Sequence, residues 1–204
     1  YVPELRRLMQ SEPDVMLALG YPGQATVYLK EFFEAGYAAN TDLLFCDGTK
    51  SVEMPEALGP ENLAGFVGTA AGSVSGESLT NFQNDYKAKY GDLPPLPYMD
   101  TLYDGIVIAS LAAAAAQYAE MEVNGVNVRD MLRKVSNPPG EVVVAGVDGL
   151  KKALELLKDG KDINYEGVAG SQDFDDNGDV VTPIDIWQYV ENDPYIETVR
   201  SVSP

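Results

Sequence analysis

The stretch "PDVMLALGYPGQATVYLKEFFEAGYAANTDLLFCDG", Pro13–Gly48, decides the fold class. "DVMLALG" reads as a short, nearly all-apolar strand. "ATVYLKEFFEAG" reads as an amphipathic helix closed by Gly36, and "DLLFCDG" as a second apolar strand. Upstream, "VPELRRLMQ" carries Leu5, Leu8 and Met9 at helical spacing. Helix, strand, helix, strand is the order of a parallel sheet with crossover helices. Strands that are apolar throughout predict a sheet covered by helices on both faces. In such sheets ligands bind beyond the carboxyl ends of the strands. Those ends are Gly20, Tyr21 and Pro22 after the first strand, and Asp47, Gly48 and Thr49 after the second. If the two strands are neighbours, Tyr21 and Asp47 project from one edge.

Downstream, "AGFVGTAAGS" reads as a strand running into a loop and "SLTNFQNDYKAKYG" as a helix stopped by Gly91. "GDLPPLPY" reads as a rigid connector. "MDTLYDGIVIASLAAAAAQYA" reads as a long helix with alanine on nearly every face, which predicts burial on most sides. Its apolar run Ile106–Ala116 is shorter than the roughly 20 residues that cross a bilayer. "NVRDMLRKV" predicts a short helix, "NPPG" a turn and "EVVVAG" a strand. "DGLKKALELLKDG" predicts a helix with Asp148 as its N-cap and Gly160 as its stop. "IDIWQYV" alternates around an aromatic pair and reads as a strand.

Composition narrows the function. The 204 residues are 45% hydrophobic, enough for one domain with a sizeable core or two smaller lobes. Thirty-two acidic and 14 basic residues give a net charge of −18. The thin scatter of cations argues against nucleic acid as a partner; an acidic surface suits solubility and also a salty habitat. There is no histidine, and Cys46 is the one cysteine. That excludes His-ligated zinc, Ser-His-Asp and Cys-His catalysis and an internal disulfide. Cys46, within "LLFC", reads as a small buried hydrophobe. The sequence begins at Tyr1, so residues upstream of it are expected.

"DFDDNGDVVTPI", Asp173–Ile184, begins like a calcium-binding EF-hand loop, with oxygen side chains at its first, third and fifth places and glycine at the sixth. Ile184 stands where a bidentate glutamate is needed, and Pro183 obstructs an exiting helix. The competing reading is a tight turn, because Asn-Gly favours positive φ and aspartates cap local amides. No metal and no cofactor is assigned on this basis. A cluster this polar is too solvated for its carboxyls to act as a general acid and base.

The order "PDVMLALGYPGQATVYLKEFFEAGY", "FCDG", "NFQNDYKAKYGDLPPLPYMDTLYDGIVIAS", "VRDMLRKVSNPPGEVV", "INYEGVAGSQDFDDNGDVV" resembles the substrate-binding proteins of branched-chain (Leu/Ile/Val-type) amino-acid ABC transporters, over essentially the whole chain. The resemblance implies an α/β, type I periplasmic-binding-protein fold: two Rossmann-like lobes with parallel sheets, present as the C-terminal portion of a longer protein. In that picture residues 1–72 are part of lobe 2 plus the first crossover. Residues 73–181 are the later part of lobe 1 and a crossover, and 182–204 return to lobe 2. The family's N-terminal portion, which grips a ligand carboxylate, has no counterpart here; its absence would leave the alanine-rich helix without its partner sheet.

Carried over residue by residue, Tyr21 matches an aromatic that closes over the ligand, Asp47 an acid that contacts its ammonium group, and Tyr98 an aromatic lining the side-chain pocket. Each also has a plain structural role open to it: a loop aromatic, a turn cap and a helix-start anchor. The implied function is non-enzymatic: capture of an amino acid or similar small zwitterion and its presentation to the membrane permease of an ABC transporter. The implied location is the periplasm or the extracellular face. A ligand-sensing or regulatory module of the same fold is the alternative. An enzyme would have to run on carboxylates, tyrosine or serine, and no spacing here suggests that.

Overall fold

Residues 1–72, 74–94 and 98–203 are described by the computed structural model. The predicted proline-rich connector falls partly outside them, at 95–97, and the strand-to-loop stretch "AGFVGTAAGS" loses its last residue at 73. In chain order the elements are α1 Val2–Met9, β1 Val15–Ala18, α2 Pro22–Glu34, β2 Asp42–Phe45, α3 Glu53–Leu58, α4 Pro60–Leu63, β3 Val67–Ala71, α5 Glu77–Tyr90 and α6 Met99–Tyr118. There follow α7 Gly125–Ser136, β4 Glu141–Val144, α8 Val147–Lys158, β5 Ile163–Gly167, β6 Gly170–Ser171, β7 Ile184–Tyr189 and β8 Ile196–Val202. They form two compact units: residues 1–71 with 184–203, and residues 72–183.

The first unit is built on a five-stranded sheet of order β1-β2-β3-β7-β8. β1, β2 and β3 are parallel, as the strand–helix–strand order predicts. β7 runs antiparallel to β3, and β8 to β7, so the sheet is mixed and the expectation of wholly parallel sheets is corrected. A return by hairpin needs only the short link between β7 and β8, whereas a parallel return needs a crossover. Met16 and Ala18 of β1 pair in register with Leu43 and Phe45 of β2. These four face the core with Leu29 and Phe32 of α2, Leu5 and Met9 of α1, and Trp187 and Tyr189 of β7. Gly68 belongs on β3 because the Trp187 ring lies where a Cβ would stand.

The alternate residues do not have this packing. Val15, Leu17 and Leu44 are 53%, 54% and 37% exposed. The expectation of helices on both faces is therefore corrected: among the described residues, burial alternates along β1 and β2 although hydrophobicity does not.

In the second unit β4 and β5 are parallel and β6 is antiparallel to β5. Val143, Ile163 and Tyr165 face Ile108, Leu111 and Ala112 of α6, Val135 of α7 and Leu156 of α8. α6 buries one stripe only. Leu102 and Ile106 are exposed, which corrects the expectation of burial on most sides. At 20 residues α6 is long and apolar enough to cross a bilayer by composition, but its buried stripe is part of this core. α8 is capped by Gly146; Asp148 sits in its first turn with a fully solvated carboxylate, so it favours the helix dipole without being the cap.

Candidate functional site

β1 and β2 lie side by side, so their carboxyl ends open onto one edge of the first sheet. Past β1 the chain turns at Gly20, whose φ of +155° suits a residue without a side chain. Tyr21 then precedes α2 as its N-cap, and Pro22 takes the first helical position, where a missing N–H costs nothing. Past β2, Cys46 leads into the tight turn Asp47–Thr49. The Thr49 hydroxyl donates to the Cys46 carbonyl at 2.7 Å and accepts from the Cys46 amide at 3.1 Å. The Tyr189 hydroxyl donates to the Thr49 carbonyl.

The two turns touch. A Cβ at Gly48 would stand 2.5 Å from the Gly20 carbonyl oxygen and 3.5 Å from Cδ1 of Tyr21. Tyr28, in the second turn of α2, donates to the Leu19 carbonyl at 3.3 Å. Its burial, with Cys46 and Tyr1 nearby, pushes its hydroxyl pKa up to about 12. Behind the rim, Lys50 Nζ lies 3.9 Å from Asp185 Oδ2 on β7.

Tyr21 is thus brought beside the turn that carries Asp47. Tyr21 is 73% exposed, and Asp47 is exposed as well. A solvent-exposed carboxylate on a turn that adjoins an aromatic residue is chemically suited to an ammonium group, with the ring suited to the carbons next to it. Tyr98 belongs to the second unit, where it precedes α6 as N-cap in the left-handed region, φ 65°, and is 38% exposed. Cys46 is half-buried, not enclosed. Thr49 and Tyr189 escape sequence reasoning: a threonine in "DGTK" carries no signal, and Tyr189 reads as an ordinary alternating strand residue.

The second unit holds a buried acid that spacing did not single out. Asp104, in mid-α6, is 1% exposed. Its Oδ1 accepts from the Tyr165 hydroxyl and the Val168 amide, both at 2.8 Å, and its Oδ2 from the Ala169 amide at 2.8 Å and Gln172 Nε2 at 3.4 Å. Burial pushes its carboxyl above the ordinary range, while the amides and the phenol pull it back. With both oxygens engaged, this carboxylate fastens α6 to the loop after β5. The signal was available, as the only acid within "LYDGIVIAS".

The aspartate cluster forms a turn. Asp175 Oδ1 accepts from the Asn177 amide at 2.8 Å and the Asp179 amide at 2.9 Å, which holds its carboxyl below the usual range. Asn137, the C-cap of α7, braces the turn by bonding both polar groups of the Phe174 backbone.

A chemotactic signal transduction system substrate-binding protein, BasB, of Halobacterium salinarum is 26% identical over 163 residues, 80% of this chain and 36% of that protein. Among solved structures, an amino-acid ABC transporter substrate-binding protein of Pseudomonas fluorescens superposes with a TM-score of 0.65 at 16% identity, over 99% of this chain and 48% of that one. LivJ of Streptococcus pneumoniae, a branched-chain amino acid transporter substrate-binding protein in complex with isoleucine, gives 0.60 at 18% identity, over 94% of this chain and 45% of that one. The chain therefore spans just under half the length of these two structures, and they share its type I periplasmic-binding-protein fold. The periplasmic binding protein family matches residues 1–192, and this chain belongs to it.

Proposed function

We propose that this chain is part of an extracytoplasmic solute-binding protein that captures a branched-chain-like amino acid, or a similar small zwitterion, for the permease of an ABC transporter. The observation that carries the reading is the contact between Gly48 and Gly20, which sets Tyr21 beside the Asp47 turn at the ends of two adjacent parallel strands. Asp47 would accept the ammonium group, and Tyr21 would cover the carbons next to it at little rotamer cost. Tyr98 is retained as a proposed aromatic contact. The isoleucine bound by LivJ supports a ligand of this class.

The second reading, a ligand sensor, draws support from the chemotactic system to which the Halobacterium relative is assigned by name. The two differ in the partner that reads the loaded protein, not in the chemistry of the rim.

Calorimetric titration of the full-length protein with a panel of amino acids, beside Asp47→Ala, Tyr21→Ala and Tyr98→Ala, tests the site. Asp47→Ala should weaken an ammonium-bearing ligand by about 2–4 kcal/mol, as removal of one member of a charge pair does. Unchanged affinity removes Asp47 from the site. Pull-down of a permease by the loaded protein, against capture of a membrane receptor, separates transport from sensing.

A further inference from the structure

We propose that Thr49 and Tyr189 are positioning residues for Asp47: the Tyr189 phenol on β7 locks the turn Asp47–Thr49 to the sheet and so fixes where the Asp47 carboxylate stands beside Tyr21. The inference rests on the ligand-binding role proposed above for Asp47 and Tyr21, and it brings in residues outside that role.

Thr49 is polar and wholly buried. Its hydroxyl gives its proton to the Cys46 carbonyl and takes the Cys46 amide, closing residues 46–49 into a small ring of bonds. Its main-chain carbonyl lies inside the unit and receives the Tyr189 hydroxyl. That carbonyl also accepts the Ser51 amide at 2.8 Å, within the turn itself, so the phenol is the donor that ties it to β7, and losing the phenol's proton removes that tie. The phenol itself has little freedom. Tyr189 is fully buried, with its ring edge-on to Phe45 at 5.3 Å and to Trp187 at 4.9 Å between centroids.

Lys50, the next residue, is tethered to the same strand through Asp185. The turn is therefore held from β7 at two successive positions on one side and stopped by the Gly20 carbonyl on the other. Asp47 is the exposed member between these restraints. A merely stabilising role for Tyr189 would be spread over the core. A positioning role is concentrated on residues 46–50.

Cys46, the only cysteine, reports on that segment. The test measures the rate at which a thiol reagent labels Cys46 in the native full-length protein, the global unfolding midpoint, and isoleucine affinity by calorimetry. Tyr189→Phe keeps the ring and removes the hydroxyl. It should label roughly tenfold faster and bind isoleucine roughly tenfold more weakly, the scale of one lost hydrogen bond, with Cys46 loosened at denaturant concentrations where the core remains folded. Thr49→Val should behave likewise, and Thr49→Ser, which restores the hydroxyl, should label and bind as wild type does. A Tyr189→Phe labelling rate equal to wild type overturns the lock. Faster labelling with unchanged isoleucine affinity, in a protein that Asp47→Ala does weaken, overturns the positioning. An Asp47→Ala variant that binds as wild type overturns the positioning from the other side by removing the ligand role beneath it; that result is distinguishable, because labelling of Tyr189→Phe is then still raised.

Discussion

Gly48 is pressed against Gly20: a side-chain carbon at position 48 would sit 2.5 Å from the Gly20 carbonyl oxygen, a main-chain atom that cannot swing aside. Gly48→Ala should therefore force the two rim turns apart at a cost of about 1–3 kcal/mol, the usual penalty for overpacking. Gly23, in the first turns of α2, has no atom within 4 Å of its would-be Cβ, and Gly23→Ala should stabilise the helix by up to about 1 kcal/mol. Urea unfolding of the two variants checks the contrast. A Gly48→Ala protein as stable as Gly23→Ala would mean the turns are not in contact.

Leu43 and Leu17 occupy neighbouring strands of similar composition but opposite faces of the sheet, 3% and 54% exposed. Leu43→Ala should cost about 2–5 kcal/mol. Leu17→Ala should stay within about 1 kcal/mol of wild type in this chain. Equal losses would show that the second face of the sheet is packed as tightly as the first.

That pair also marks where the sequence stops being informative. "VMLA" and "DLLF" are legible as strands because they are apolar and bounded by turns, and their parallel pairing follows from the helix between them. Which face is packed is not legible, because Leu17 and Met16 are equally apolar and only the neighbours in space tell them apart. β8, "IETVRSV", is nearly all exposed and carries no hydrophobic stripe, so its pairing with β7 rests on main-chain bonds that leave little trace in composition. At the rim, Tyr21 and Asp47 are legible from their places after the strands. Thr49 and Tyr189 are not, since their importance lies in bonds to backbone atoms that any residue possesses.

Asp104 should be the costliest single polar position in the second unit. Asp104→Asn replaces one of two acceptor oxygens with a donor that faces the amide of either Val168 or Ala169, and about 2–3 kcal/mol should be lost at neutral pH. Burial raises the folded-state pKa of Asp104, so between the ordinary carboxylate value and that raised value the folded chain binds more protons than the unfolded one. Its contribution to stability falls as pH rises through that window and recovers as pH falls. Urea unfolding at several pH values should accordingly show the gap between wild type and Asp104→Asn widening on acidification. A narrowing gap would place the folded-state pKa below the ordinary value.

Asp175 should behave with the opposite sign. The Asp179 and Asn177 amides lower its pKa, so the turn is held above the ordinary carboxylate range and released as pH falls through the depressed value. Protection of the Asn177 and Asp179 amides against hydrogen exchange, taken relative to the intrinsic rate at each pH, should fall in that acidic window, and Asp175→Ala should show the low protection at every pH. Protection at these two amides that ignores both acid and the substitution would dissociate the turn from its carboxylate.

The net charge of −18 should make the fold more stable in salt. Self-repulsion of like charges works against the compact state. The screening length shrinks from about 10 Å at 0.1 M to about 3 Å at 1 M, so added salt removes most of that repulsion. Salt also weakens attractive pairs, but several here have little to lose. Lys30–Glu34, Lys134–Asp162, Lys151–Asp148 and Lys161–Asp159 sit at 3.9–4.0 Å on exposed side chains, and such pairs contribute about 0–1 kcal/mol each. With 32 acidic residues against 14 basic ones, more repulsive than attractive energy is screened. The melting temperature should therefore rise between 0.1 M and 1 M salt. Sodium chloride is the appropriate probe, because sulfate raises melting temperatures by surface exclusion whatever the charge. The rise should diminish near pH 4, where protonation of the carboxylates removes the repulsion itself. A melting temperature that falls with sodium chloride at neutral pH would show that the ion pairs outweigh the excess negative charge.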